Sequence, residues 1–209
     1  MAQTWFRRGS SGPDSIFRGK NMNKVKLGSI AEIISGLSYR RYKDEGEETF
    51  DVIVQRSIKK DGVLDDFESM NLRRPKSRYF TKSGDILMKM PYPYDVVCVD
   101  RENLIVSDRI AIIRLTKHHN PSFIAHLLTN AHVKKQLYQL GSTERIPHTS
   151  LKEIKELELV LPDRKTQDKS AELLDAINEK IANDMELVKY DQNLKEGILN
   201  EIWEGGIDD

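Results

Sequence analysis

Apolar positions follow two regimes along the chain. Up to residue 161 they gather in short runs broken by turn residues; beyond residue 166 they recur every three or four positions. In the first regime Val25-Lys26-Leu27 predicts a short strand, and Gly28-Ser29 leads into the Ile-Ala-Glu-Ile-Ile run that Gly36 ends. The polar stretch 38–48 reads as a loop. Residues 50–54 are β-branched and aromatic and predict a strand, with a turn at Asp61-Gly62. Three more strand-like runs cover 85–90, 96–99 and 105–115, separated by turns bearing Pro91, Pro93 and Asp100. Successive short strands without intervening helices predict a mainly antiparallel β body of α+β class.

Helical spacing then takes over. Pro121-Ser122 suits a first helical turn, and Phe123, Leu127, Leu128, Ala131, Leu137 and Leu140 predict one helix ending at Gly141. After a polar loop at 142–149, Ser150 with Glu153 three residues on forms a capping signature for a short helix. Residues 157–161 predict a last strand, stopped by Pro162. From 166 to 203 there is no proline and the only glycine is Gly197. Leu174, Ile177, Ile181, Met185 and Val188 form a stripe that Leu194, Ile198 and Ile202 continue on a slightly rotated face. A helix of about 38 residues would be roughly 57 Å long, longer than a body of this size is wide. These eight residues are therefore expected to pair with another helix, against the plainer alternative of a helix lying along its own domain. Residues 1–23 mix Gly, Ser, Arg and Pro without periodicity and read as a flexible leader or a remnant of cloning. The organisation expected is 1–23 leader, 24–163 β-rich domain and 164–209 helix.

Composition narrows the class. At 38% hydrophobic and 32% charged, the 209 residues are those of a soluble globular chain. No apolar run approaches the roughly 20 residues that cross a bilayer, and no signal-peptide core is present. The single cysteine, Cys98, excludes an intrachain disulfide and a cysteine-based zinc site, in keeping with a cytoplasmic setting. The formal net charge of zero conceals an asymmetry: residues 24–163 carry 23 Lys+Arg against 20 Asp+Glu, and residues 164–209 carry 6 against 12.

Catalytic signatures are missing. There is no Gly-rich phosphate loop, GxSxG, HExxH or paired CxxC. The five histidines are scattered, with His118-His119 in a solvated turn. Met90-Pro91-Tyr92-Pro93-Tyr94 lacks the amide or acid that an amino-methyltransferase motif uses to hold its target amine. The chain is expected to be no enzyme and to need no metal or cofactor of its own.

Three segments suit nucleic acid. Residues 71–82 hold five cations and no acids, with Arg73, Arg74, Lys76 and Arg78 able to neutralise phosphates. Arg40, Arg41 and Tyr42 form a second cluster able to reach base edges. The loop 141–149 mixes small, hydroxylated and basic residues, of which Thr143, Arg145 and His148 are the candidates. Each segment taken alone also fits a solvated loop, which leaves a non-catalytic, helix-mediated assembly protein without DNA readout as the alternative.

The order of features decides between them. Gly141-Ser142-Thr143, Ile146-Pro147-His148-Thr149-Ser150-Leu151, the Leu157-to-Leu161 strand with Pro162, Gln167 and the long helix together resemble a Type I restriction-modification specificity subunit. Lys26-Leu27-Gly28-Ser29-Ile30, Gly84-Asp85-Ile86-Leu87 and Leu194-Lys195-Glu196-Gly197-Ile198-Leu199 resemble that family's domain opening, its Gly-Asp-Ile-Leu strand and its spacer end. Asp163 and Thr166 depart from the family's usual proline and glutamate. The resemblance spans residues 24–204. It implies a target-recognition domain that reads half of a bipartite double-stranded DNA site. It further implies a spacer helix that fixes the distance between halves and docks methyltransferase subunits, which bind S-adenosylmethionine, with a restriction subunit in some assemblies. Family members usually carry two recognition domains and two helices; this chain has one of each, so a homodimer paired through the helix is expected.

Overall fold

The computed structural model describes residues 22–39, 42, 48–60, 62–116, 118–140 and 147–205. Nine strands are described: β1 (Asn23–Lys26), β2 (Ala31–Ser35), β3 (Glu48–Ile53), β4 (Glu68–Leu72), β5 (Ile86–Lys89), β6 (Val96–Cys98), β7 (Ile105–Val106), β8 (Ile110–Leu115) and β9 (Glu158–Leu161). The α-helices are α1 (Pro121–Thr129), α2 (Ala131–Leu140), α3 (Leu151–Glu156) and α4 (Arg164–Gly205).

Runs such as Ile110-Ala111-Ile112-Ile113 lack polar alternation because the sheet they enter is buried on both faces. That sheet has the order β2-β8-β5-β6 and is antiparallel throughout. Since successive side chains point to opposite faces, each strand feeds two cores. Ile33, Ile86, Met88, Val96, Ala111 and Ile113 pack with Phe123, Ile124 and Leu128 of α1, Leu137 of α2 and Ile154 of α3. Their alternates Leu87, Val97, Ile110 and Ile112 pack with Ile53, Ile58, Leu104 and Val106 on the other side. A three-stranded sheet, β4-β3-β7, covers that second core; β3 pairs β4 antiparallel and β7 parallel. β1 and β9 form a two-stranded ribbon that ties residue 23 to residue 161.

Three expectations of the sequence change in the structure. The run 105–115 is not one strand: it turns at Ser107, where Ile110 N–H donates to Ser107 O at 3.1 Å, so its two ends serve different sheets. The helix expected from 121 to 140 is two, broken at Asn130 (φ −62°, ψ 141°), whose side chain accepts from His132 N–H at 2.8 Å and so caps α2. Leu27 belongs to a 3₁₀ turn rather than to β1. The capping at Ser150 is as expected. Its Oγ accepts from Glu153 N–H at 3.3 Å, and the Glu153 carboxylate accepts from Ser150 N–H at 2.7 Å. Gly36 carries the chain from β2 toward the other sheet, and a Cβ there would stand 2.1 Å from Ser107 O, so only glycine passes.

Burial of α4 against the body is confined to its first three turns. Thr166, Gln167, Ser170 and Ala171 are buried. Gln167 donates to Pro162 O at 2.9 Å, accepts from Asn120 N–H at 3.1 Å and lies 3.2 Å from His119 Nδ1, so His119 is held rather than merely solvated. Asp175 accepts from Ser122 Oγ at 2.8 Å and meets His126 Nε2 at 2.6 Å. Every residue from 175 to 205 is exposed. The helix therefore does not lie along its own domain: its 42 residues make a rod of about 63 Å that leaves the body with its apolar stripe uncovered. No helix among the described residues is long and apolar enough to cross a membrane.

Candidate nucleic-acid interface

The basic segment expected from the sequence leaves β4 at Leu72 and returns to the body at Phe80. Two features hold it in place. Pro75 is buried between exposed neighbours, and Ser77–Tyr79 closes a 3₁₀ turn. Beneath that turn stands the Arg114–Asp85 pair, with side chains only 13% and 3% exposed. Arg114 Nε and Nη2 each donate to the Asp85 carboxylate at 3.0 Å. The remaining donors reach the segment itself: Nη1 to Arg78 O at 3.0 Å and Nη2 to Phe80 O at 2.5 Å. A guanidinium offers five N–H donors in a fixed fork, which is why one side chain can hold an acid and two carbonyls together.

Arg73, Arg74, Lys76 and Arg78 all project to solvent from this clamped segment. Arg74 pairs with Glu48 at 3.3 Å. Arg78 donates to Tyr79 Oη at 2.6 Å and stacks 4.7 Å from the Tyr79 ring centre; that hydrogen bond raises the Arg78 pKa further above its ordinary value. Arg73 N–H donates to Tyr42 O at 3.2 Å, which brings the second sequence candidate beside the first. Tyr42 is half-buried and packs with Tyr39, Phe50, Tyr79 and Phe80 over Leu37, Val52, Leu72 and Ile105. The result is a segment of four exposed cations next to a cluster of aromatic rings, with Arg78 stacked on Tyr79, a surface suited to phosphate oxygens.

The structure does not bring every candidate together. His148 is exposed and bridges Pro91, with Tyr92 N–H donating to Pro147 O at 2.9 Å and Thr149 N–H to Met90 O at 2.9 Å. Met90 N–H in turn donates to Arg109 O, so His148 stands at the Arg109 end of β8 while the Arg78 segment is clamped at Arg114. Those ends are about 16 Å apart along the strand. Arg40, Arg41, Thr143 and Arg145 lie outside the described residues.

Two features were not anticipated. A cleft of about 400 Å³ is lined by Ser38, Tyr39, Gln55, Arg56, Asp108 and Arg109 among others. Arg56 is engaged by Asp66 and Glu68, whereas Arg109 is exposed. Tyr92 is 58% exposed beside His148. The signal for Arg109 was the polar triplet Ser107-Asp108-Arg109 inside an otherwise apolar run. No group of three or more His, Cys, Asp or Glu able to hold a metal occurs among the described residues.

Comparison with known proteins bears on the fold and the family. Among solved structures the chain is similar to the HsdS subunit from Thermoanaerobacter tengcongensis, with TM-score 0.62 and 18% identity over 78% of this chain and 43% of that one. It is also similar to the Type I restriction-modification system S subunit from M. genitalium, with TM-score 0.53 and 16% identity over 79% and 41%. A third match describes complex assembly and conformational transition of the type I R-M system, with TM-score 0.58 and 17% identity over 79% and 41%. At such identities the likeness is one of fold, and this chain spans about two-fifths of the length of each of those chains. No curated protein matches by sequence. A family description, Type I restriction modification DNA specificity domain, matches residues 19–202. A specificity domain is a recognition module rather than an enzyme. With nearly its whole length matched, the chain belongs to the family of Type I restriction modification DNA specificity domains.

Proposed function

We propose that this chain reads DNA sequence for a Type I methyltransferase, as a half-subunit with one recognition domain (24–163) and one spacer helix (164–209). The observation that carries the reading is the exposed segment Arg73, Arg74, Lys76 and Arg78, next to an aromatic cluster and held at Arg78 and Phe80 by Arg114. Phosphate contacts from such a row fix position on the duplex, and base-edge contacts supply the sequence. Arg40, Arg41, Tyr42, Thr143, Arg145 and His148, with the newly seen Arg109 and Tyr92, are the further candidates. The assembly acts in the cytoplasm with modification subunits, joined by a restriction subunit where cleavage accompanies methylation.

The homodimer belongs to the same proposal. Leu174, Ile177, Ile181, Met185 and Val188 form a stripe along α4 that Leu194, Ile198 and Ile202 continue on a rotated face, and Ile177 onward is 45% or more exposed at each of these positions. Two such helices running antiparallel would cover both stripes and set two recognition domains at opposite ends. Identical halves related by a two-fold axis read a palindromic bipartite site.

The test is a methylome. The chain is co-expressed with the modification subunit encoded beside it, in a host without other methyltransferases, and modified bases are mapped by long-read sequencing. A two-part palindromic motif present only with this chain is expected. A soluble, associated pair of proteins that leaves no new motif would overturn the reading in favour of assembly without DNA readout.

A further inference from the structure

A groove of about 590 Å³ lies where α4 leaves the body, between the helix and the turn after Ile58. Lys59, Lys60 and Val63 line one wall; Asn178, Ile181 and Met185 line the other. Val63, Ile181 and Met185 are all 45% or more exposed, so three apolar side chains face open space in one place.

At the far end of the helix stands Trp203, 74% exposed and so the barest apolar side chain among the large hydrophobics of the described residues. Its azimuth on the helix is informative. Trp203 is eighteen residues beyond Met185, and at 3.6 residues per turn that is five whole turns. Trp203 and Met185 therefore share one face, as do Leu199 and Ile181. In an antiparallel pair related by a two-fold axis, the axis stands perpendicular to the plane of the two helices. Equal azimuths on the two copies then point to the same side of that plane. The side that Met185 shares with the turn 59–63 is thus the side to which the partner's Trp203 points.

Register completes the match. With Ile177 facing the partner's Ile202, Ile181 faces the partner's Ile198, all four exposed in the single chain. The partner's Trp203 then stands opposite residue 176. Helical side chains lean toward their own N-terminus, which in the antiparallel partner carries the indole one turn onward, to Asn178 and Ile181. Charge agrees. The body wall of the groove is basic, with Lys60 beside Lys59, which lies 3.7 Å from Asp66, while Glu179 stands on the helix wall. The arriving end is acidic, with Glu201 and Glu204 beside Trp203 and the negative end of the helix dipole.

We infer that the groove between the 59–63 turn and the root of α4 receives Trp203 of a second copy of this chain, once in each direction across the dimer. This rests on the helix-paired half-subunit reading above and adds an anchor to it, joining the tip of each spacer helix to the recognition domain of the other copy. A ring in a small, well-fitted groove is the type of contact that dominates an interface.

The experiment uses the full chain. Dimer dissociation constants are measured by light scattering and sedimentation for the parent and for Trp203→Ala. In a Trp5→Phe background, where Trp203 is the remaining tryptophan, emission is followed on dilution. In parallel, a Cys98→Ser, Val63→Cys chain is mixed with a Cys98→Ser, Trp203→Cys chain under mild oxidation. A covalent heterodimer, a blue-shifted Trp203 emission that moves red on dilution, and a dissociation constant weakened about 100-fold or more are expected, since each dimer holds two such contacts of at least tenfold each. A dimer that persists with unchanged affinity in Trp203→Ala, shows solvent-like emission and gives no cross-link would overturn the groove assignment and leave helix pairing intact. A chain that stays monomeric at all concentrations would overturn both. Self-cross-linking of the Trp203→Cys chain would show parallel helices and equally refute the assignment.

Discussion

Replacing Arg114 by methionine should unseat the basic segment and destabilise the body together. Methionine keeps the length and apolar stem of the side chain and removes the guanidinium. Asp85, 3% exposed at its side chain, would keep Lys82 N–H, at 2.9 Å, as a donor. The carbonyls of Arg78 and Phe80 would each lose the donor that Arg114 gives them. Breaking one side of a buried ion pair costs about 3–5 kcal/mol because the remaining charge is left unpaired. For a domain of this size that lowers the melting temperature by roughly 6–20 °C. Calorimetry on the parent and Arg114→Met measures it directly. The double variant Asp85→Leu, Arg114→Leu separates the two roles. Removing both charges should restore much of the stability, while residues 78–80 remain untethered and DNA affinity stays reduced. If Arg114→Met melted within 2 °C of the parent, or if the double variant were as unstable as the single, the clamp would be wrongly described.

Other consequences are open to direct measurement. Alanine at Arg73, Arg74, Lys76 and Arg78 together should lower the slope of log affinity against log salt by about 3–4, if each cation meets a phosphate; an unchanged slope in a filter-binding or anisotropy titration would remove this segment from the interface. Gln167→Leu, of similar volume, leaves Asn120 N–H and Pro162 O without their partner at the root of α4, and should cost about 1–3 kcal/mol and speed amide exchange at Asn120; protection equal to the parent's would contradict it. Burial, with smaller contributions from Asp175, Asp100 and Asp85, pushes the Cys98 thiol up to about 11. The thiol is therefore protonated throughout the neutral range, and reaction with a disulfide reagent at pH 8 should be slow in the folded chain and fast in guanidinium; prompt reaction of native protein would refute the assignment.

Much of the fold was legible because turn chemistry and periodicity agreed. The capping pair Ser150 and Glu153 marked α3, and the uninterrupted stripe from Leu174 marked α4. Illegible features arose where two elements share one pattern. Ile105 to Leu115 reads as a single run because both of its ends are buried, and only tertiary packing decides that Ile105 and Val106 join β3 while Ile110 joins β5. The break at Asn130 was hidden for a similar reason: Leu127, Leu128 and Leu137 keep helical spacing across it. Of the site, the cations at 73–78 were visible as composition. What seats them, the Arg114 fork, was not, because it depends on a residue 36 positions away. Arg109, in the polar triplet 107–109, and Tyr92, between two prolines, have no cluster of cations to mark them in the sequence, and each is set at the surface by the folds of the chain around it.

The way α4 is rooted has a mechanical consequence. About 45 Å of helix beyond residue 175 is held by little more than Gln167, Asp168 and Asp175 and the buried turn around them. A tilt of 5° at that root displaces the tip by about 4 Å, close to the rise of roughly 3.4 Å between successive base pairs. On the proposed reading of α4 as a spacer, the distance it sets between half-sites would be only as exact as its root is stiff, with the hydrogen bonds at Asn120, Ser122 and Pro162 fixing that tolerance.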